Sequence, residues 1–479
     1  MPLKIRFATL GPAFVLAAAA LALVVLSVRA HLPGQVSMDA SMQLYEASLG
    51  RSITWNPPYM TAILRWLGGG PGASSWMVVF NSAVTYLTLA LLAGAVLVKR
   101  AVVHRTGHGW QWLRAGLILL LLANPILYLY VGIVWKDVLF SSLLMLGLAL
   151  GLAACLADDR RAAVAWAVGA TVALAVAMKV RQQGIFMSPV LLGVPLIGLT
   201  LGRGLSRTAA ATTCVVFVCL FAGASMAMSA LVARTIQTEE RFGNSVGYKG
   251  VMQYDIAGIV ALSPTATDKL AIPMTEELRS EIRRLYTPDR GDFLWRSPAV
   301  TQWQSSPTYE VIKDRWTTLI RAEPRAYAEH KARAFAAVLA VDGVKACLPV
   351  HVGIDGNHEY LREIGFTPGV DARDQALWGL SQDIIRWPVY RHWVYVLALV
   401  VAAVALVTLR MPVRLRAGAL VAALATALLY LSYLPTSIAC DFRYLFAGIC
   451  LVSLLWAVIL AGAFGAPRVP SLRAVWARR

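Results

Sequence analysis

Charge is what this sequence has least of. Only 15% of its 479 residues are Asp, Glu, Lys or Arg, against 58% that are hydrophobic, and the mean hydropathy is +0.62. That balance excludes a water-soluble globule, a disordered chain and a collagen-like repeat, because so much apolar surface would have no interior to occupy. Acids are scarcer than bases, 26 against 44, giving a net charge of +18. The excess does not make a nucleic-acid binder, since the position of charge matters more than its sum. No Walker loop, dinucleotide fingerprint or repeat of fixed period occurs, which argues against an ATP-driven pump. Cysteine is rare too. Of six, Cys155, Cys214, Cys219 and Cys450 fall inside apolar runs as small apolar residues, leaving Cys347 and Cys440 outside, where they can pair or stay free.

What the sequence has in abundance is long apolar runs. A helix needs about 20 apolar residues to cross a hydrocarbon core of about 30 Å. Ten such runs lie near 8–29, 76–98, 113–131, 137–157, 163–178, 185–200, 209–232, 392–409, 417–434 and 445–464. The expected fold is therefore an all-α polytopic membrane protein with about ten transmembrane helices. An N-terminal membrane module spans 1–232 with a first outer loop at 30–75. A mostly helical extracytoplasmic domain spans 233–391, and a C-terminal module spans 392–479. Lys4, Arg6, Lys99, Arg100, Arg105, Arg114, Arg160, Arg161, Arg203, Arg207, Arg410, Arg414, Arg416 and the arginines after 467 fall on one side, which the positive-inside rule makes cytoplasmic. The first run reads as an uncleaved anchor, with a signal peptide ending near Ala30 as the alternative, and both leave the next loop outside.

The acids then become informative. Residues 233–391 hold 20 bases and 20 acids, leaving 24 bases but six acids for the rest. Asp158 and Asp159 sit with Arg160 and Arg161 in a cytoplasmic turn. The other four, Asp39, Glu46, Asp137 and Asp441, all fall on the outer side. Carboxylates near lipid are costly unless paired or wet, so this face is read as a polar site, with hydrated loop ends as the plainer account. Lys136, Lys179, Arg181 and Arg443 share the face, and two bases in the short turn at 179–184 defy the positive-inside trend, which points to an anion nearby.

In the first outer loop, Met38, Met42, Tyr45 and Leu49 recur at helical spacing while Asp39, Gln43 and Glu46 recur on another face, predicting a short amphipathic helix at the membrane surface. Ser37 is placed to cap it and Gly50 to end it. Asp39 in its first turn suits the helix dipole, and it also suits a base at the mouth of the bundle. Next comes Trp55-Asn56-Pro57-Pro58-Tyr59, a rigid return towards the second span. Asn124-Pro125 interrupts the third run, Trp135-Lys136-Asp137 opens the fourth, and Cys440-Asp441-Phe442-Arg443-Tyr444 precedes the last.

Taken in order, the Asp on a first-loop helix, the Pro-Pro return, the Trp-Lys-Asp and the Asp-Phe-Arg-Tyr resemble the GT-C superfamily of integral-membrane glycosyltransferases. The resemblance covers most of the chain and implies transfer of a sugar from a polyprenyl-phosphate donor to a lipid, glycan or protein acceptor, usually with inversion. The expected place is the outer face of a bacterial inner (cytoplasmic) membrane, in the making of cell-envelope polysaccharide, lipid or glycoprotein. By the same resemblance Asp39 matches the first-loop catalytic Asp, with Glu46 two turns further on as the second catalytic candidate. Two positions depart from the pattern: Asp39 is flanked by Met38 and Ala40 where many members have a paired acid, and Asn56 stands where a His often precedes the prolines. Metal use stays open, a divalent ion being the only cofactor considered.

Displacing a lipid phosphate from a sugar asks for a base on the acceptor hydroxyl and cations on the leaving phosphate. Lys136, Asp137, Lys179, Arg181, Gln182, Asp441, Arg443 and Tyr444 are the expected substrate-binding residues. Arg181 and Arg443 rank first because a guanidinium binds phosphate through two parallel donors. Lys136 has the alternative of neutralising Asp137. In the outer domain, helices are expected at 275–286, 308–321 and 324–339. Asn244, Tyr248, Lys249, Gln253, Tyr254 and Asp255 form a polar-aromatic mix suited to carbohydrate, or ordinary domain surface. His351, Asp355, His358 and Glu359 lie close together without matching a strong zinc spacing. Two other functions remain alternatives: an O-antigen-type polymerase or ligase, which would not depend on a first-loop Asp, and a lipid-linked-sugar transporter or flippase, which would carry charges at the bilayer midplane.

Overall fold

The computed structural model describes residues 7–54, 56–104, 108–238, 245–263, 265–269, 274–305, 308–344 and 347–463. Trp55 and Asn244 lie outside them. The first half runs through α1 (Phe7–His31), α2 (Met38–Leu49), α3 (Pro58–Trp66), α4 (Gly70–His104), α5 (His108–Leu122), α6 (Pro125–Tyr130), α7 (Lys136–Leu156), α8 (Arg160–Val180), α9 (Gly184–Thr200) and α10 (Arg207–Thr235). Eight helical stretches among the described residues are long and apolar enough to cross a membrane. The other two of the ten expected runs form shorter apolar helices of 17 residues each, Gly184–Thr200 and His392–Thr408.

Local chemistry sets the breaks. Asn124 caps α6, its Oδ1 accepting from the Ile126 N–H at 3.0 Å, and Pro125 occupies the first helical position, so the third apolar run divides there. Before α4, Gly68, Gly69 and Gly70 all adopt left-handed φ of 94°, 69° and 54°, a path that three consecutive side chains would resist. α7 and α21 (Phe446–Gly462) are enclosed almost all round, whereas α1 and α10 keep most of their apolar surface outward, with Phe14, Leu21, Val215 and Met226 exposed. Central helices packed by protein and peripheral helices clothed in side chains for lipid are what a membrane bundle requires.

The segment expected from the sequence to lie outside, the outer domain, continues through α11 (Ser245–Leu262), α12 (Ala266–Lys269), α13 (Glu276–Leu285), α14 (Pro298–Ser305), α15 (Tyr309–Ala322), α16 (Pro324–Val338), α17 (His358–Glu363) and α18 (Ala372–Ile384). The chain then returns to the bundle as α19 (His392–Thr408), α20 (Val413–Thr436) and α21. The three helices expected in this segment are present as α13, α15 and α16. Residues 233–391 do not share one core, however. Tyr254, Ile259, Leu278, Ile282, Val300, Ile312 and Leu319 form a separate apolar centre, while Val350, Leu361, Phe366, Leu377 and Tyr390 join the core of the bundle. A two-stranded parallel pair, β1 (Arg51–Ser52) with β2 (Gln237–Thr238), ties the end of α2 to the end of α10.

The loop before α2 is threaded through the site. Gln35 N–H donates to Gly132 O and its carbonyl accepts from Val134. On the other side Val36 N–H donates to Gly353 O, and Asp355 N–H donates to Val36 O, at 2.8–3.0 Å throughout. A cystine between Cys347 and Cys440 fastens the segment after α16 to the loop before α21.

Candidate functional site

α2 forms where the periodicity predicts and ends on Gly50 at φ 70°. Its buried face mixes polar with apolar side chains. Gln43 and Glu46 are buried with Ala40, Leu44 and Ala47, while Met38 and Leu49 are exposed. The polar stripe points into the protein, while the apolar stripe is exposed at its two ends and covered at Tyr45, whose ring stacks on Tyr360 at 3.9 Å. Ser37 does not cap the helix with its side chain. Its Oγ accepts from the Trp135 indole N–H at 2.7 Å, which pins the start of α2 to the start of α7.

That pin holds Asp39 against the loop before α21. Arg443 Nη2 lies 2.8 Å from Asp39 Oδ2 and 3.4 Å from Asp441 Oδ2. The Arg443 guanidinium lies over the Trp135 ring at 4.7 Å, and its Nε is buried with no hydrogen-bond partner among the described residues. The other oxygen of Asp441 takes 2.7 Å from Arg290, a residue of the outer domain that also grips both oxygens of Asp292. Beside this chain, Arg181 pairs with Asp137 and donates to Tyr433 Oη at 2.6 Å. The Tyr444 ring is 5.4 Å from the Arg181 guanidinium and 5.6 Å from that of Arg443. Lys136 Nζ donates to Asn56 Oδ1 at 2.7 Å and lies within electrostatic reach of Asp137, Asp39, Arg181 and Arg443.

The structure thus brings Asp39, Lys136, Asp137, Arg181, Asp441, Arg443 and Tyr444 to one place. It separates the rest. Glu46 is fully buried and faces away: its Oε1 accepts from the N–H groups of Ile53 and Thr54 at 2.8 and 2.7 Å, and its Oε2 from the Thr61 hydroxyl at 3.1 Å. A carboxylate so occupied holds the loop in shape and has little left for a substrate proton. The direct ion pair of Asp137 is with Arg181, while Lys136 lies within electrostatic reach of it. Lys179 stands on the flank, its ammonium 5.7 Å from the Tyr59 ring, and Gln182 is exposed on the turn between α8 and α9.

Tyr254 and Asp255 lie in the apolar centre of the outer domain instead of on a carbohydrate surface. Tyr254 donates to Thr287 O at 2.7 Å. Asp255, wholly buried, accepts from Trp316 Nε1 at 2.9 Å, is 3.1 Å from His330 Nε2 and pairs with Lys331 at 2.5 Å. Burial pushes the His330 imidazole and the Lys331 ammonium below their usual values, against the opposing pull of Asp255. Among the described residues no three His, Cys, Asp or Glu side chains gather in a way that could hold a metal ion. His351 instead packs beside Trp135, with ring centroids 6.1 Å apart, and burial lowers its pKa.

Arg290, Asp292 and Tyr433 are the parts of the site that sequence reasoning missed. The acid-base-acid run Asp289-Arg290-Gly291-Asp292 after a Thr-Pro turn was the available signal for the first two.

No family model matches this chain, and no curated protein does. Two solved structures match. One is ArnT from Cupriavidus metallidurans bound to undecaprenyl phosphate, 16% identical with a TM-score of 0.34. The other is the same protein in the apo state, 15% identical with a TM-score of 0.32. Each match covers 94% of this chain and 77% of the other.

Proposed function

We propose that this protein is a membrane glycosyltransferase that moves a sugar from a polyprenyl-phosphate donor to an acceptor hydroxyl at the outer face of a bacterial cytoplasmic membrane. The observation that carries the reading is the meeting of Asp39 with Arg443, ringed by Lys136, Arg181 and Arg290, at the outer ends of apolar helices. A partly exposed carboxylate there can take the proton of an acceptor hydroxyl. The oxygen then forms a bond to the anomeric carbon as the bond from that carbon to the phosphate oxygen breaks, and the electron pair leaves with the phosphate. Arg443, whose buried Nε has no partner among the described residues, and then Arg181 and Lys136, are placed to hold the charge that grows on that phosphate. A single displacement of this kind inverts the anomeric centre.

The test is transfer from a defined polyprenyl-phosphate sugar by the purified protein in nanodiscs. Replacing Asp39 by Asn keeps size and most hydrogen bonding, so transfer should fall about 100-fold or more while the melting temperature stays put. Near-normal transfer by that variant would sink the assignment of Asp39 as base and favour a polymerase or ligase working through its arginines.

A further inference from the structure

Five charged side chains from three distant stretches of sequence alternate in sign: Asp39, Arg443, Asp441, Arg290, Asp292. Three carboxylates share two guanidiniums, so neither cation is fully committed to one partner. The division at Arg443 is the uneven one. A single nitrogen, Nη2, serves both Asp39 at 2.8 Å and Asp441 at 3.4 Å, while Nε of the same guanidinium is buried without a partner among the described residues. The Trp135 ring lies against the guanidinium and the Tyr444 ring stands 5.6 Å from it. Bounded this way, the group can exchange partners with little movement of its backbone. Arg290 is held more firmly, by both oxygens of Asp292 and one of Asp441, and its strand is fixed to the Arg443 loop. Gly291 N–H donates to Ile438 O at 2.7 Å and Cys440 N–H to Asp289 O at 2.8 Å.

We infer that Arg443 locks Asp39 until a phosphate group takes the guanidinium, and that Arg290, acting through Asp441, sets how readily Arg443 lets go. A phosphate offers several acceptor oxygens and can engage Nε together with an Nη in parallel, a stronger arrangement than the one nitrogen now shared between two carboxylates. When Arg443 turns to it, the lone pairs of Asp39 are uncovered for an acceptor proton. The base is thus released by the arrival of the donor, and an acceptor arriving first meets a blocked carboxylate. Arg290 is a positioning residue here. It occupies one oxygen of Asp441 and so limits how strongly that carboxylate can draw Arg443 away from Asp39. The inference rests on the glycosyltransfer reading only for the source of the phosphate.

The experiment is carbodiimide labelling of Asp39 with an amine nucleophile, quantified by mass spectrometry on the full-length protein in nanodiscs. Four conditions are compared: a polyprenyl monophosphate, inorganic phosphate, neutral polyprenol and no addition, with binding of each followed separately. Polyprenyl phosphate should raise Asp39 labelling about tenfold or more, the ratio expected for release from one hydrogen bond to a charged group, and polyprenol should not. A rise with inorganic phosphate as well would support the lock and show that the headgroup suffices. Without any phosphate, Arg290→Gln should raise labelling, Asp441→Asn should lower it, and Arg290→Lys should fall between Arg290→Gln and wild type. Mere damage to the loop would move the first two variants the same way, and that result would overturn the role of Arg290. Unchanged labelling with polyprenyl phosphate demonstrably bound would overturn the lock and leave the donor reading standing. Failure of polyprenyl phosphate to bind would remove the donor reading itself.

Discussion

At the centre of the outer domain, Asp255 is enclosed by His330, Lys331 and Trp316 with no solvent exposure. At the mouth of the helical bundle, Asp39 keeps 28% of its side chain exposed and meets one guanidinium, which it shares with Asp441. Both are acids among bases in surroundings poor in water. The first has both oxygens engaged by protein groups, as a buried charge must if the fold is to tolerate it. The second has room on one side, and its cation has a donor to spare. The same distinction runs through a single helix: on α2, Glu46 is sealed by three donors and Asp39 is not. Completeness of satisfaction, more than burial or charge, separates a carboxylate that holds the structure from one able to act on something else.

Replacing Asp255 by Asn is the strongest way to press that contrast. It leaves Lys331 buried without its counter-charge, at a cost of about 3–5 kcal/mol. Hydrogen exchange should show α11 and α16 losing protection, whereas Asp39→Asn should change stability by less than about 0.5 kcal/mol. Equal protection in the two variants would erase the distinction between sealed and open sites.

Next in size are the cations. Arg443→Gln and Arg181→Gln should each lower turnover about 10- to 100-fold and weaken donor binding, with the Lys variants recovering only part because charge returns without the two-donor fork. Steady-state transfer and donor titration in nanodiscs measure both. Unchanged values for both Gln variants would move the phosphate elsewhere, most plainly towards Lys136.

A smaller effect belongs to Glu46. With Gln there, one acceptor for the Ile53 and Thr54 amides survives, so stability should fall by about 1–2 kcal/mol and turnover per folded molecule should hold. A loss of turnover as deep as that of Asp39→Asn would restore Glu46 to the chemistry.

The slightest expected effect is that of acid on the outer domain. Burial keeps His330 neutral in the folded state to a lower pH than in the unfolded chain, where it titrates near 6.5. Below that pH the unfolded state binds more protons, so stability is present above about 6.5 and is lost as pH falls towards the folded value. Hydrogen exchange of α16 between neutral and mildly acid pH should show the decline, and His330→Gln should flatten it.

Much of this was legible from residues alone, for reasons that differ by level. Ten apolar runs and the 3.6-residue period of α2 announce themselves through composition. The face that α2 buries does not, because periodicity separates two faces without saying which one meets lipid. Adjacency in sequence does not give Lys136 and Asp137 a direct ion pair. Successive residues point about 100° apart, so Asp137 reaches Arg181 across α8 while Lys136 reaches Asn56. Arg290 was hidden by the neutrality of its domain, where 20 bases among 20 acids give no single one prominence. Asp39, Arg181 and Arg443 stood out for the opposite reason, being charges where the membrane makes charge scarce.

The cystine between Cys347 and Cys440 gives assembly a direction in time. The helix bearing Asp39 is among the first parts of the chain to be synthesised, and the loop bearing Arg443 among the later ones. Cys440 precedes that loop directly, and its partner lies 93 residues upstream, beyond α16. The late loop becomes fastened only once these two thiols have been oxidised to each other. A newly made molecule with both thiols reduced therefore holds every residue of the site without this fastening between them.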